Sequence, residues 1–325
     1  MDSAGALTRA VERFAAAHLD GTREVCVALS GGPDSLALTA ASVRAGLAVR
    51  ALIVDHRLQQ GSARVAADAA QSARALGANA QVLEVSVGTD GGLEAAARNA
   101  RYAALGHARD GRPVLFGHTM DDQAETVLLG LARGSGARSI AGMRPWSAPW
   151  GRPFLQIRRA QTVAVCTELN LAPHADAHNR DPRFTRVRLR SEVLPLLADV
   201  LHGGVVQALA RTADSVRADN DALDDMAAAT YRECLVAGAG TAGNPGADEL
   251  AIGTLSTLPP ALRTRVVRRW LLDVGARAPT STVITAVDDL VTGSSSGGVA
   301  IGGDRSHRLV VGTEGDRLTV DRIDR

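Results

Sequence analysis

Over the first 133 residues, short apolar runs alternate with longer segments whose apolar residues recur at helical spacing. The runs at 24–29 (EVCVAL), 49–55 (VRALIVD), 81–87 and 113–117 read as buried strands. The segments at 34–46, 61–76, 93–109 and 122–133 read as helices, with Gly46 and Gly77 stopping the first two. Residues 1–20 form an amphipathic, Ala-rich helix in front of them. It carries acids and lacks the basic-then-apolar layout of a signal peptide. Strand followed by helix, four times over, predicts an α/β fold with a doubly wound parallel sheet and helices on both faces. Ligands of such sheets lie beyond the carboxyl ends of the strands.

The rhythm then changes. Residues 134–153, rich in Gly, Pro and Trp, read as loop. Helices are predicted at 159–171 and 188–200, and a long one over 205–236 carries Leu209, Ala213, Val216, Leu223 and Met226 at helical spacing. The run AGAGTAGNPG at 237–246 reads as a flexible linker. Beyond it, helices at 260–274 and 281–291 and short hairpin strands at 299–301, 308–311 and 317–320 predict a small α+β domain. The expected division is an α/β domain over 1–200, a helical connector and linker over 201–246, and a small C-terminal domain over 247–325. There is no internal repeat.

Composition narrows the chemistry. The chain of 325 residues is 46% hydrophobic and 3% aromatic, so its core is built from Ala, Val and Leu, and binding of nucleic acid mainly by aromatic stacking is disfavoured. No run of eighteen apolar residues predicts a membrane span. Cys26, Cys166 and Cys234 are far apart and form no metal or disulfide spacing, which suits a reducing cytoplasm. All 36 basic residues are arginine. A lysine-dependent phosphate loop and Schiff-base chemistry on the chain are therefore excluded. The net charge of +1 hides a local surplus: residues 133–190 hold 11 arginines against the acids Glu168, Asp176 and Asp181. That segment reads as an anion-binding surface. Arg263, Arg265, Arg268 and Arg269 form a second basic patch on the first helix of the small domain.

The most specific string is Ser30-Gly31-Gly32-Pro33-Asp34-Ser35, placed where the first strand runs into a helix. Two glycines let the backbone turn sharply, and successive N–H groups with a helix N-terminus make an anion nest that needs no lysine. Ser30 and Ser35 add hydroxyl donors. A carboxylate at Asp34 beside phosphates calls for a cation between them, so Asp34 is the candidate Mg²⁺ ligand. A second string, Gly117-His118-Thr119-Met120-Asp121-Asp122-Gln123-Ala124-Glu125-Thr126, follows the fourth strand, and Asp121 and Glu125 share one helix face.

The first string resembles the pyrophosphate loop of the N-type ATP pyrophosphatases (PP-loop enzymes, with an adenine nucleotide alpha hydrolase-like fold). That superfamily activates a carbonyl oxygen by adenylation and lets a nucleophile displace AMP. The second string resembles a signature of the tRNA(Ile)-lysidine synthetases. Val54-Asp55-His56-Arg57-Leu58 is similar to that family's segment beside the adenine, Glu94, Arg98, Arg101 and Tyr102 to its third-helix pattern, and residues 179–188 to its segment before the last helices of the domain. The resemblance covers residues 20–200 well and is weaker beyond 250.

What it implies is ATP-dependent ligation of L-lysine to C2 of the wobble cytidine of a tRNA(Ile) with a CAU anticodon, in the cytoplasm, with release of AMP and pyrophosphate. By the same resemblance Asp34, His118 and Asp122 are the catalytic candidates. Ser30 to Ser35 with Val54 and Asp55 would bind ATP, and Asp121 and Glu125 would lie near the lysine. Arg180, Arg183, Arg186, Arg188 and Arg190 are the tRNA-binding candidates. A PP-loop tRNA thiolase and a non-catalytic nucleotide-binding tRNA module stand as alternatives.

Overall fold

The computed structural model describes residues 3–57, 61–88, 92–134, 136–174, 181–236, 249–304 and 306–324. Two compact units divide the chain, one of residues 1–129 and 142–213, the other of 130–141 and 214–325. The linker expected at 237–246 lies outside the described residues, as does Arg180.

In the first unit, α1 (Ser3–His18) precedes β1 (Glu24–Ala28), α2 (Pro33–Arg44), β2 (Ala48–Asp55), α3 (Ser62–Ala75), β3 (Asn79–Glu84), α4 (Leu93–Ala108), β4 (Val114–Leu115) and α5 (Met120–Arg133). The turn of helix α6 (Ala137–Ile140) belongs to the second unit. The chain then forms β5 (Trp146–Ser147), β6 (Trp150–Gly151), α7 (Arg159–Glu168) and α8 (Thr185–Arg188), which runs through a π-helical turn at Leu189–Val193 into α9 (Leu194–Val200) and then α10 (Val205–Cys234).

The six strands pair in the order β3-β2-β1-β4-β6-β5. All neighbours are parallel except β5 against β6. The predicted four-strand parallel sheet is present, and it is extended by two strands inside the segment read as loop. Alternation along β1 sorts the core. Val25, Val27 and Leu29 join Leu36, Leu38, Ala69 and Phe154 in one buried cluster. Cys26 and Ala28 face the other way, with Leu105 of α4 and Phe116. Cys26, Cys166 and Cys234 are free and buried.

The order reverses at β1: β2 and β3 lie to one side and β4 to the other. Both sequence strings leave the carboxyl ends of the strands flanking that switch point, where open α/β sheets hold their ligands.

The second unit carries the C-terminal part of α10, whose Ala227, Tyr231 and Cys234 are buried. With it come β7 (Leu235–Val236), β8 (Glu249–Ala251), α11 (Ile252–Ser256), α12 (Pro260–Asp273), α13 (Ser281–Thr292), β9 (Val299–Gly303), β10 (His307–Glu314) and β11 (Arg317–Asp324). An antiparallel sheet in the order β7-β8-β11-β10-β9 packs on Trp270, Val266, Val287 and Leu290. Among the described residues, no single helix is long and apolar enough to cross a membrane.

Candidate active site

β1 ends at Ala28 and the backbone turns through Gly31, whose φ is +82°, before Gly32 caps α2. A Cβ at Gly31 would meet Ala69 at 3.4 Å, on top of the strain a side chain suffers at that φ. The turn is laced internally. Ser35 Oγ donates to the Gly32 carbonyl at 3.0 Å and accepts from Ser30 N at 3.2 Å; the Ser30 and Ser35 hydroxyls lie 3.1 Å apart. Gly32 has no side chain to cap the helix, so the first turn of α2 offers its N–H groups to a ligand. At the end of β4, Gly117 lies against the same turn. A Cβ there would stand 2.8 Å from the backbone carbonyl of Asp34, which only glycine permits.

Beside the turn, a cleft of about 310 Å³ is lined by Leu29, Ser30, Val54, Asp55, His56 and Ala66 among others. Ligand pockets span roughly 300–1,000 Å³. Ser30, Val54 and Asp55, all expected at the nucleotide, therefore share one cavity. Asp55 is buried and accepts the Arg57 backbone N–H at 2.9 Å.

On the other side of the turn stand the acids. Asp34 Oδ2 accepts from Arg159 Nε at 3.1 Å, and its Oδ1 accepts from the Thr162 hydroxyl. Arg159 Nη2 donates to Asp122 Oδ1 at 2.6 Å and Nη1 to Glu125 Oε1 at 3.5 Å. One guanidinium thus joins the loop after β1 to the helix after β4. Asp122 Oδ2 accepts from both the backbone N–H and the hydroxyl of Thr119, at 2.8 and 2.7 Å. Asp121 is taken up differently: Arg158 grips both its oxygens, and the Arg159 backbone N–H at the start of α7 donates to it at 2.8 Å. Glu125 has 0% side-chain exposure and accepts from Arg190 Nε at 2.8 Å. Its Oε2 is buried with no hydrogen-bond partner among the described residues, and Arg186 Nη1 stands 3.6 Å away.

The charges respond to these neighbours. Burial raises the Asp34 carboxyl above the usual carboxylate range and outweighs the opposing pull of Arg159 and Thr162. Burial also acts on Asp122, but Arg159 and the Thr119 bonds outweigh it and hold that carboxyl low. Arg159 is held protonated by Asp122, Asp34 and Glu125 against the effect of its own burial.

His118 stacks on Phe116 with ring centroids 5.5 Å apart, and its Nδ1 is buried without a partner among the described residues. Burial pushes its imidazole down to about 4, so it is neutral at pH 7. A group held that low is poorly matched to general-base work near neutrality. The unfolded chain binds a proton at His118 near its ordinary value of about 6.5 and the folded chain near 4, so folding is opposed by protonation in that interval. Stability present above pH 6.5 is lost as pH falls toward 4. Between pH 7 and pH 5 the expected loss from this residue is about 2 kcal/mol. Urea unfolding at both pH values checks it: His118→Phe should lose less stability than wild type over that interval, and an equal loss in both refutes the assignment.

Sequence reasoning missed Arg158, Arg159 and Thr162 as site residues, although it placed a helix at 159. The available signal was two arginines at a helix N-terminus, where the dipole disfavours cations, so they call for acidic partners elsewhere in the fold.

The arginines expected to meet RNA separate in the structure. Arg190 is drawn toward the site, where it pairs with Glu125 and Asp122. Arg183 pairs with Asp181 and Arg188 with Glu192, both at the surface. Arg186 is half-exposed, its guanidinium 3.5 Å from the Thr126 hydroxyl. In the second unit, Arg263 is buried on Asp288, and Arg269 lies over the Tyr231 ring.

The family defined by the PP-loop domain matches residues 5–197, and the family defined as the TilS substrate binding domain matches residues 250–313. The chain is 58% identical to a tRNA(Ile)-lysidine synthase of Nocardia farcinica over 320 residues, covering 97% of this chain and 98% of that protein. It is 55% identical to proteins of the same name from Rhodococcus jostii and Mycobacterium tuberculosis, again over 97% of this chain and over 95% and 96% of theirs. Among solved structures, a U34-tRNA thiolase from Methanococcus maripaludis shares the fold, with a TM-score of 0.52 at 16% identity over 65% of this chain and 78% of that one.

Proposed function

Because this chain belongs to the PP-loop family of tRNA(Ile)-lysidine synthases, we propose that it adenylates the C2 carbonyl oxygen of the wobble cytidine in a tRNA(Ile) with a CAU anticodon, and that an amine of L-lysine then attacks C2 and expels AMP. It is an ATP-using, tRNA-modifying ligase. The observation that carries the residue-level reading is the meeting of the Ser30–Ser35 turn and the α5 acids through Arg159 at the sheet's switch point.

The nucleotide's base and sugar fit the cleft beside Val54 and Asp55, and its phosphates fit the amides of Gly31 and Gly32 with the hydroxyls of Ser30 and Ser35. Pro33, at the first helical position of α2, presets the helix direction without needing its own N–H. Fixed donors of this kind stabilise a pyrophosphate leaving group.

Among the described residues, no three His, Cys, Asp or Glu side chains converge as a metal cage. A Mg²⁺ ion carried by nucleotide phosphates needs only one or two protein carboxylates. Asp34 suits that role: it adjoins the turn, and burial leaves it short of compensating charge even with Arg159 beside it. The ion would neutralise charge at the α-phosphate.

Lysine must be held as a cation and react through a neutral amine. Glu125, whose Oε2 accepts no hydrogen bond among the described residues and has the Arg186 guanidinium 3.6 Å away, suits the first task, while Asp122, held ionised by Arg159 and the Thr119 bonds, keeps Arg159 in place beside the reacting groups. Asp121, whose oxygens are taken by Arg158 and the Arg159 amide, positions the start of α7. His118, uncharged, would shape the space around the reacting base by stacking with Phe116. Arg180, Arg183, Arg186 and Arg188 are the RNA contacts of this unit. Its operation in the cytoplasm accords with three free cysteines. The thiolase reading is not favoured: these cysteines are buried and widely separated in the chain, and the relatives with long, close matches are lysidine synthases.

Mass spectrometry of anticodon nucleosides after incubation with ATP, lysine and tRNA(Ile) tests the reading. Lysidine should appear with stoichiometric AMP, and AMP without lysidine would refute lysine as the acceptor. Arg186→Ala should weaken tRNA binding and flatten its salt dependence while leaving ATP affinity unchanged. An unaltered salt slope would remove Arg186 from the RNA path.

A further inference from the structure

The second unit contains a polar cavity of about 270 Å³ that the reaction described above does not use. Arg138, Arg265 and Arg268 line it together with Asn220, Thr264 and Thr285, and no acid is in the lining. Behind the lining, Asp224 accepts from Arg138 and from Arg265 Nε, the latter at 3.0 Å, which fixes both guanidinium groups. Arg265 Nη2 also donates to Asn220 Oδ1 at 2.6 Å. Arg268 donates to the Pro279 carbonyl at 3.0 Å. Three cations therefore share one carboxylate. Arg268 bears the cost: burial, then the nearby charge of Arg138, makes its protonated form less favourable than usual.

A second observation concerns a residue of the lining. Asn220 is 4% exposed, and its side-chain nitrogen is buried with no acceptor among the described residues. A buried amide donor without an acceptor costs about 1–3 kcal/mol unless something supplies one. Several fixed cationic donors and one unfulfilled neutral donor, with no acid facing the same space, ask for a small multivalent oxyanion. Planar guanidinium groups match phosphate oxygens in particular.

We propose that this cavity is a phosphate-binding site, and that its occupant in the working enzyme is one backbone phosphate of the RNA substrate. The inference rests on the tRNA reading above for that occupant, and on the cavity alone for the anion. It also separates the basic patch read from the sequence. Arg263 and Arg269 have structural partners, whereas Arg265 and Arg268 line the cavity beside Arg138, some 127 residues earlier in the chain at the closest (265 − 138).

The test uses the full chain and two variants, Arg268→Gln, which removes a cation, and Thr285→Glu, which places an acid in the lining at an exposed position. Binding of tRNA(Ile) is measured from low to high salt, and binding of inorganic phosphate by calorimetry without RNA. Both variants should weaken tRNA binding roughly five- to tenfold and reduce the slope of log K against log salt by about one. Lysidine formation at saturating tRNA should remain at the wild-type level.

If tRNA binding is unchanged but wild type binds inorganic phosphate and the variants do not, the site stands with free phosphate as its occupant. If neither ligand distinguishes the variants from wild type, the site is refuted. Should wild type bind phosphate yet make no lysidine, the functional reading fails and the anion site survives. Thermal melts of both variants matching wild type exclude misfolding as the cause.

Discussion

Asp34→Asn should abolish adenylation while sparing both the fold and RNA binding. The amide keeps the size of the carboxyl and can still accept from Thr162, so the contact between the start of α2 and α7 persists. Arg159 loses one ionic partner but retains Asp122 and Glu125. The expected stability loss is therefore no more than about 1 kcal/mol. What disappears is the negative charge adjoining the phosphate turn. Without it, a cation accompanying the nucleotide has no protein carboxylate there. A loss of about 10³ in the rate of AMP formation, near 4 kcal/mol of transition-state stabilisation, is the size expected for removing one such electrostatic element. AMP release with tRNA(Ile) and lysine at saturating ATP measures it, and tRNA affinity in the same variant should stay within about twofold. A rate within tenfold of wild type would dismiss Asp34 from the chemistry.

The pairing of Asp34 with Arg159 also marks where sequence reasoning stops. The Ser30–Ser35 turn was legible because its meaning is local: a buried strand, two glycines and a helix start fix the backbone whatever surrounds them. The parallel sheet was legible for the same reason, since β1 and β2 each show a strong apolar pattern beside glycine-marked helices, whereas β3 has no buried residue and lies at 79–84 instead of 81–87.

The strands β5 and β6 were not. Each is two residues long and set among Trp, Pro and Gly, and they exist because β6 pairs with β4, a contact between positions 36 apart in the chain (150 − 114). The same holds for charge. Residues 133–190 looked like one basic surface, yet Arg158, Arg159 and Arg190 are committed to acids on α2 and α5. A count of arginines carries no information on which acids face them. Asp121 shows the converse. The family resemblance placed it near the lysine, and only tertiary structure reveals Arg158 and the Arg159 amide on its oxygens.

Glu125→Ala should cost more stability than any other single change at the site. Glu125 is fully buried, and three arginines converge on it: Arg190 at 2.8 Å, Arg159 at 3.5 Å and Arg186 at 3.6 Å. Removing it leaves those cations facing one another with only Asp34 and Asp122 to offset them. Breaking a buried pair from one side typically costs 3–5 kcal/mol, because the remaining charge keeps its desolvation penalty. The arginines here retain partial exposure, 34% for the Arg190 side chain, so the lower end, about 3 kcal/mol, is expected. For a unit of this size that is a fall in Tm of roughly 6–12 °C.

A double variant separates lost charge balance from lost packing. Glu125→Leu with Arg190→Met removes both partners, and it should recover at least half of the stability lost by Glu125→Leu alone. If the double variant is less stable than Glu125→Leu, the pair contributes through packing and the charge argument fails. Glu125→Gln then isolates chemistry from folding. It keeps the volume and an acceptor for Arg190 but not the charge, so its melt should fall by less than that of Glu125→Ala, while the ammonium of lysine loses its counter-charge. The expected signature is a KM for lysine raised at least tenfold, with ATP affinity unchanged. A normal KM would assign Glu125 to the scaffold alone and leave the lysine to another carboxylate.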